Sequence, residues 1–146
     1  MNLIYDNTYN SIILNLQKNS IIGITPVCLL EKGYVSLGNV KSNCFANVVL
    51  HSLCHSPELA SHLSKGRLRV HINKTNRNGK EGSLTATISA LANFYWSGTV
   101  SHIEVNDLMI SFACTLDERF RGRKSESAMD YLNLLIDGLA AETNKL

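Results

Sequence analysis

A cysteine attacks carbon as its thiolate, and the start of an α-helix stabilises that anion through exposed backbone amides and the helix dipole. Of the four cysteines, Cys28, Cys44, Cys54 and Cys114, the pattern puts Cys44 at such a start. Phe45, Val48, Val49 and Leu53 recur behind it at helical spacing, and Pro57 ends the run. Ser42 or Asn43 stands where its side chain can cap the first-turn amides. Cys54 falls near the end of the same helix, where the dipole opposes ionisation. Cys114 follows a helical pattern, and Cys28 lies in an apolar run. By position alone, any of these thiols is more often a small buried residue than a nucleophile. Likewise Asn39, beside Gly38, reads by itself as a turn residue.

The elements around Cys44 are mainly helical. Pro57 suits the first position of a second helix, with Leu59 and Leu63 on one face. Ser83 opens a third, carrying Leu84, Ile88, Leu91, Ala92 and Tyr95 on one side and stopped by Gly98. Val105, Leu108, Met109 and Phe112 predict a helix over Glu104–Phe112. Ala128, Tyr131, Leu132, Leu135 and Leu139 predict the last, over Ser127–Ala141. Between Gly66 and Gly82 the chain is polar and basic and reads as a loop, with room for a short strand at Leu68–Ile72. Residues 1–36 stand apart as an N-terminal segment. Its apolar runs Ser11–Leu16 and Ile21–Ile24 fit short strands, or a helix followed by a strand. The expected architecture is about five helices around one core.

Composition narrows the chemistry. With 146 residues, 45% apolar and 18% charged, the chain has the make-up of one ordinary globular domain. Its net charge of +2 lacks the clustered cations that nucleic-acid binding needs. The cysteine spacings contain no CxxC pair, so no zinc site is expected, nor any other metal or cofactor. The N-terminus has no basic head with a cleavage site, and no apolar run is long enough to span a membrane. An intracellular setting with free thiols follows as the expectation, in the cytoplasm or nucleus.

The stretch Leu37-Gly38-Asn39-Val40-Lys41-Ser42-Asn43-Cys44-Phe45-Ala46-Asn47-Val48-Val49-Leu50-His51-Ser52-Leu53 resembles the cysteine box of ubiquitin-specific proteases. That box runs Gly-Leu-x-Asn-x-Gly-Asn-Thr-Cys, an aromatic residue, then x-Asn-x-x-Leu-Gln-x-Leu, with a proline and an apolar residue soon after. Leu37, Asn39, Cys44, Phe45, Asn47, Leu50, Leu53, Pro57 and Leu59 match it. Three later segments are also similar to the family. They are Ser83-Leu84-Thr85 leading to Phe94-Tyr95-Trp96, then Asp117-Glu118-Arg119-Phe120, and Glu126-Ser127-Ala128-Met129-Asp130-Tyr131-Leu132 running on through Leu135, Asp137 and Leu139.

The resemblance implies a papain-like thiol hydrolase that cleaves the isopeptide bond after the C-terminal glycine of ubiquitin, without a cofactor. Residues 37–146 would form its helical thumb half. Cys44 would be the nucleophile, and the Asn39 amide would donate to the oxygen that becomes negative on attack. Ubiquitin, a ubiquitinated protein or a ubiquitin-like modifier is the partner implied, with no nucleic acid or membrane. The chain departs from the box at Lys41-Ser42-Asn43, where the family has Gly-Asn-Thr, and at His51, where it has Gln. Lys41 either favours the thiolate or narrows the approach to it. The family's catalytic histidine, with its Asp or Asn orienter, belongs to a mostly β second half downstream. His51, His55, His62, His71 and His102 match no such motif and read as surface or capping residues. The catalytic domain is therefore expected to be incomplete in this chain, and an inert binding or scaffold module derived from such a protease is the alternative.

Overall fold

A computed structural model describes residues 3–19, 32–39, 42–76, 80–104, 117–121 and 125–144. Among them lie five helices: α1 (Leu3–Asn19), α2 (Cys44–His55), α3 (Pro57–Ser64), α4 (Ser83–Tyr95) and α5 (Ala128–Thr143). Two short strands, β1 (Ser36–Leu37) and β2 (His102–Ile103), pair in parallel with Ser36 opposite His102 and Leu37 opposite Ile103. The mainly helical fold is the one the sequence predicts. The helix expected over Glu104–Phe112 lies, beyond Glu104 itself, outside the described residues, as do Cys28 and Cys114.

α4 is the centre of the core. Its sequence alternates large apolar residues with Ala86, Ala90 and Ala92, and eleven of its residues are buried, including Thr85, Thr87 and Ser89. A helix buried nearly all round must be enclosed by neighbours, and small side chains let them approach. α1, α3 and α5 all pack against it, and Ile12, Leu63, Tyr131 and Leu135 from these helices share its buried core. Asn93 of α4 donates to the hydroxyl of Tyr9 of α1. On the other side, α2 meets α5 through an aromatic cluster. Phe45 lies 5.4 Å from Tyr131 and 5.9 Å from Phe120, with Phe120 5.7 Å from Tyr131. The edge-on contacts bring the positive rim of one ring to the face of the next.

The start of α4 has an unusual solution to a general problem. The first amides of a helix lack acceptors within it. Here the N-cap is Gly82, which has no side chain to offer, and the first turn holds no acidic residue. Instead the carboxylate of Glu142, on α5, reaches across. Its Oε1 accepts from the Leu84 amide at 3.0 Å, and its Oε2 from the Thr85 amide and hydroxyl at 2.8 and 2.7 Å. The segment after the Arg67–His71 turn returns the service to α5. The Asn73 amide donates to the Glu142 carbonyl at 2.7 Å, and the Asn76 side chain to the Ala141 carbonyl at 2.7 Å.

Three expectations are corrected or resolved. The apolar run at Ser11–Leu16 lies on a helix, α1. The strand considered at Leu68–Ile72 is instead a 3₁₀ helix over Arg67–His71. Gly66, in the left-handed region at φ 62°, ends α3 there, and the Arg69 amide bonds back to the Gly66 carbonyl. No described strand lies beside this run, and an unpaired strand has no ladder to hold it. Asn43 occupies the N-cap position of α2, but its side chain makes no capping bond there. It is used elsewhere, as described next.

Candidate active site

The site is built where the small sheet hands the chain to α2. The Ser36 amide donates to the Ser101 carbonyl at 3.0 Å, and the Gly38 amide to the Ile103 carbonyl at 2.9 Å. Gly38 is pressed against β2, so that a Cβ placed on it would lie 3.1 Å from His102 Nε2. Its carbonyl points the other way and receives two side-chain amides from the first turn of α2. Asn47 Nδ2 donates to it at 2.9 Å and Asn43 Nδ2 at 3.2 Å. Asn47 Nδ2 also lies 3.3 Å from the Leu37 carbonyl, and Asn43 Nδ2 lies 3.4 Å from Asn47 Oδ1. Both asparagines are buried, Asn43 to 1% exposure. Gly38 is thus held by the sheet through its N–H and by the start of α2 through its C=O.

This bracing places both residues singled out from the sequence. Asn39, next to the braced glycine, is exposed, and it makes no hydrogen bond to another described residue; its carboxamide carries two donor hydrogens. Cys44 is the first residue of α2, a free thiol exposed to solvent. Between them Ser42 sits at φ 62°. That left-handed conformation suits the Asn which the family box has at this position better than it suits serine. Cys54, at the other end of α2, is 2% exposed, and burial pushes its thiol up to about 12. The two described cysteines are therefore a solvent-facing thiol and an inert core residue.

All five histidines lie among the described residues, and none of them hydrogen-bonds Cys44. His51 Nδ1 is 2.9 Å from the Tyr95 hydroxyl. His55 and His62 each place Nδ1 within 2.9 Å of the carbonyl four residues earlier in their helices, His51 and Glu58 respectively. His102 Nδ1 is 2.8 Å from the Ser36 hydroxyl across the sheet. His71 is exposed on the 3₁₀ turn. On a helix rising 1.5 Å per residue, His51 stands about 10 Å along α2 from Cys44. His51 is held below the usual histidine range, first by burial and then by the neighbouring His55. Among the described residues no group of three or more His, Cys, Asp or Glu converges as metal ligands, and no helix is long and apolar enough to cross a membrane.

A solvent-facing cysteine at a helix start, with an asparagine-bearing turn tied back to that same helix on a mainly helical core, is the arrangement of the thumb of a papain-like cysteine protease. A family model described as ubiquitin carboxyl-terminal hydrolase matches residues 35–145, and the chain belongs to that family. It is 28% identical over 116 residues to ubiquitin carboxyl-terminal hydrolase 32 of Homo sapiens, a match covering 80% of this chain and 7% of that protein. It is 25% identical over 122 residues to ubiquitin carboxyl-terminal hydrolase 4 of Bos taurus, covering 84% of this chain and 13% of the relative. With ubiquitin carboxyl-terminal hydrolase 19 of Rattus norvegicus it shares 28% identity over 120 residues, 82% of this chain and 9% of the relative. The chain thus resembles cysteine-type deubiquitinases and spans a small fraction of the length of these relatives.

The cysteine box pointed to Cys44 and Asn39 but not to the pair that braces Gly38. Asn47 carried a signal, as a match to the box; Asn43 stood out as a candidate cap and as a departure from the box, neither of which points to Gly38.

Proposed function

We propose that residues 37–146 are the nucleophile-bearing thumb of a thiol hydrolase that cleaves the bond after the C-terminal glycine of ubiquitin or a ubiquitin-like modifier. The observation that carries the reading is the exposed Cys44 at the start of α2, with the Gly38–Asn39 turn fastened to that same turn of helix. In the reaction, the Cys44 sulfur adds to the glycine carbonyl carbon, and the π pair moves onto oxygen. The Asn39 amide donates to that oxygen, which is worth most where charge is greatest, in the tetrahedral state. Collapse breaks the bond to the lysine nitrogen, which leaves as the amine after taking a proton, and a thioester remains. Water then attacks the thioester, releasing the modifier's carboxylate and the free thiol.

The base that accepts the thiol proton and returns it to the amine is a histidine which this chain does not itself bring to Cys44. Every histidine of the chain has another place in the structure, which supports a base supplied by further sequence or by a partner. The setting that suits a working thiolate is a reducing one, in the cytoplasm or nucleus, with no nucleic acid or membrane engaged. A ubiquitin probe ending in an electrophile, offered to the full-length gene product, is expected to modify Cys44. Labelling that persists in Cys44→Ala would overturn the assignment.

The second reading is an inert module that keeps the ubiquitin-facing surface without turnover. The histidine placements favour it, together with Lys41-Ser42-Asn43 in place of Gly-Asn-Thr. Hydrolysis of a fluorogenic ubiquitin substrate by these 146 residues, abolished in Cys44→Ala, would exclude it.

A further inference from the structure

We infer that Asn43 and Asn47 are positioning residues for the oxyanion donor, acting as a two-armed clamp on the Gly38 carbonyl; this deepens the reading of Cys44 and Asn39 given above. Neither asparagine touches the reacting atoms in this arrangement. Their side-chain amides converge on one acceptor, at 2.9 Å from Asn47 and 3.2 Å from Asn43. That acceptor belongs to the residue immediately before Asn39. Because the Gly38 amide is tied to Ile103 at 2.9 Å, the peptide groups on both sides of the glycine Cα are held, one by the sheet and one by the clamp. Nor can the glycine escape sideways, since β2 fills the space a Cβ would need. The turn that carries Asn39 is therefore registered against the helix that carries Cys44, with one arm on the residue before Cys44 and the other three residues after it.

An oxyanion donor acts through placement, and a displacement of about 1 Å can cost 10²-fold in rate. Asn39 is exposed and hydrogen-bonds no other described residue, and its backbone continues directly from the clamped Gly38 carbonyl, which sets its register. Asn43 is not spare in this scheme. It stands where the box has Thr, whose hydroxyl is too short to duplicate a carboxamide's reach, and it shares its acceptor with Asn47. The two arms are partly redundant, so removing both should cost more than the sum of the single losses.

The test separates electrophiles that create an oxyanion from one that does not. Ubiquitin aldehyde forms a thiohemiacetal, in which sulfur bonds to the aldehyde carbon and negative charge develops on oxygen before protonation. Iodoacetamide is displaced at a saturated carbon, with iodide leaving and no oxyanion formed. In the full-length protein, Asn47→Ala is expected to weaken ubiquitin aldehyde binding at least tenfold, and Asn43→Ala with Asn47→Ala about a hundredfold. Alkylation of Cys44 by iodoacetamide should stay within twofold in both. Asn39→Ala combined with Asn47→Ala should be little worse than Asn39→Ala alone. Equal losses towards both reagents would reduce the asparagines to general structural supports and overturn the proposal.

A second measurement is independent of ubiquitin. The clamp predicts that the Gly38 amide loses at least tenfold of its hydrogen-exchange protection in Asn47→Ala, while Leu91 in α4 changes less than twofold. Unchanged Gly38 protection would overturn the clamp whatever the aldehyde does. If wild-type protein fails to bind ubiquitin aldehyde yet Gly38 behaves as expected, the clamp stands and the deubiquitinase reading falls.

Discussion

Removing the carboxylate of Glu142 should loosen the molecule from its centre. Glu142 is 1% exposed, and the groups it serves, on Leu84 and Thr85, are equally buried at 1% and 0%. Three donors converge on its two oxygens, all within 3.0 Å. In Glu142→Ala these donors lose their acceptor in a place water reaches poorly. A single orphaned buried donor costs about 1–3 kcal/mol, and a lost helix cap about 1 kcal/mol. The three losses are not additive, because the hydroxyl can turn away and a water can enter the vacated space. We expect a net loss of about 3 kcal/mol, a fall of about 10 °C in the melting temperature for a domain of this size.

Two further variants grade the effect. Thr85→Val deletes the hydroxyl bond alone, keeps the shape, and should cost about 1 kcal/mol. Glu142→Gln retains one acceptor oxygen but turns an amide donor towards Thr85, and should fall between the two. Urea unfolding followed by circular dichroism measures all three, and hydrogen exchange at the Leu84 and Thr85 amides reports the local cause. A loss below about 1 kcal/mol for Glu142→Ala, or the reverse order of Thr85→Val and Glu142→Ala, would refute the claim that α5 caps α4.

Three other outcomes follow. Limited iodoacetamide on native protein should modify Cys44 and spare Cys54, whose thiol at about 12 is almost wholly protonated near neutrality; peptide mass spectrometry with and without denaturant decides it, and equal native labelling would contradict the burial. Because His51 is held below its unfolded value of 6.5, the unfolded chain binds the proton more readily. Stability from this site is then complete above that value and drains away as pH falls through it, so His51→Gln should show a smaller drop in melting temperature between pH 7.5 and 5.5 than wild type. Gly33→Ala would set a Cβ 2.6 Å from the Trp96 ring at φ 84°; a loss of about 2–3 kcal/mol is expected by calorimetry, and a neutral result would show that the turn and the indole move apart freely.

What could be read from the sequence was what is encoded locally. α2 is announced by apolar spacing and the following proline, which together put Cys44 at a helix start. α5 is announced by the spacing of Ala128, Tyr131, Leu132, Leu135 and Leu139, and the structure adds a cap in front of it, Ser127 accepting from the Asp130 amide at 3.3 Å. α1 was ambiguous because Ser11–Leu16 satisfies both periods over so short a run; the choice is made by packing against α4, with Ile12 in the shared core. The clamp was hidden for a similar reason. Asn43 beside a helix start reads as its cap, but Gly38, held in place by a β2 that comes 65 residues later, draws the side chain away. The Glu142 cap joins residues 57 and 58 positions apart, and no pattern near Glu142 signals it. A trace did exist at the other end. A helix that begins at Gly82, with neither a capping side chain nor an acidic first turn, has amides that still require acceptors. When the local sequence supplies none and the helix is buried, a polar side chain from elsewhere in the chain must be inside the core to meet them.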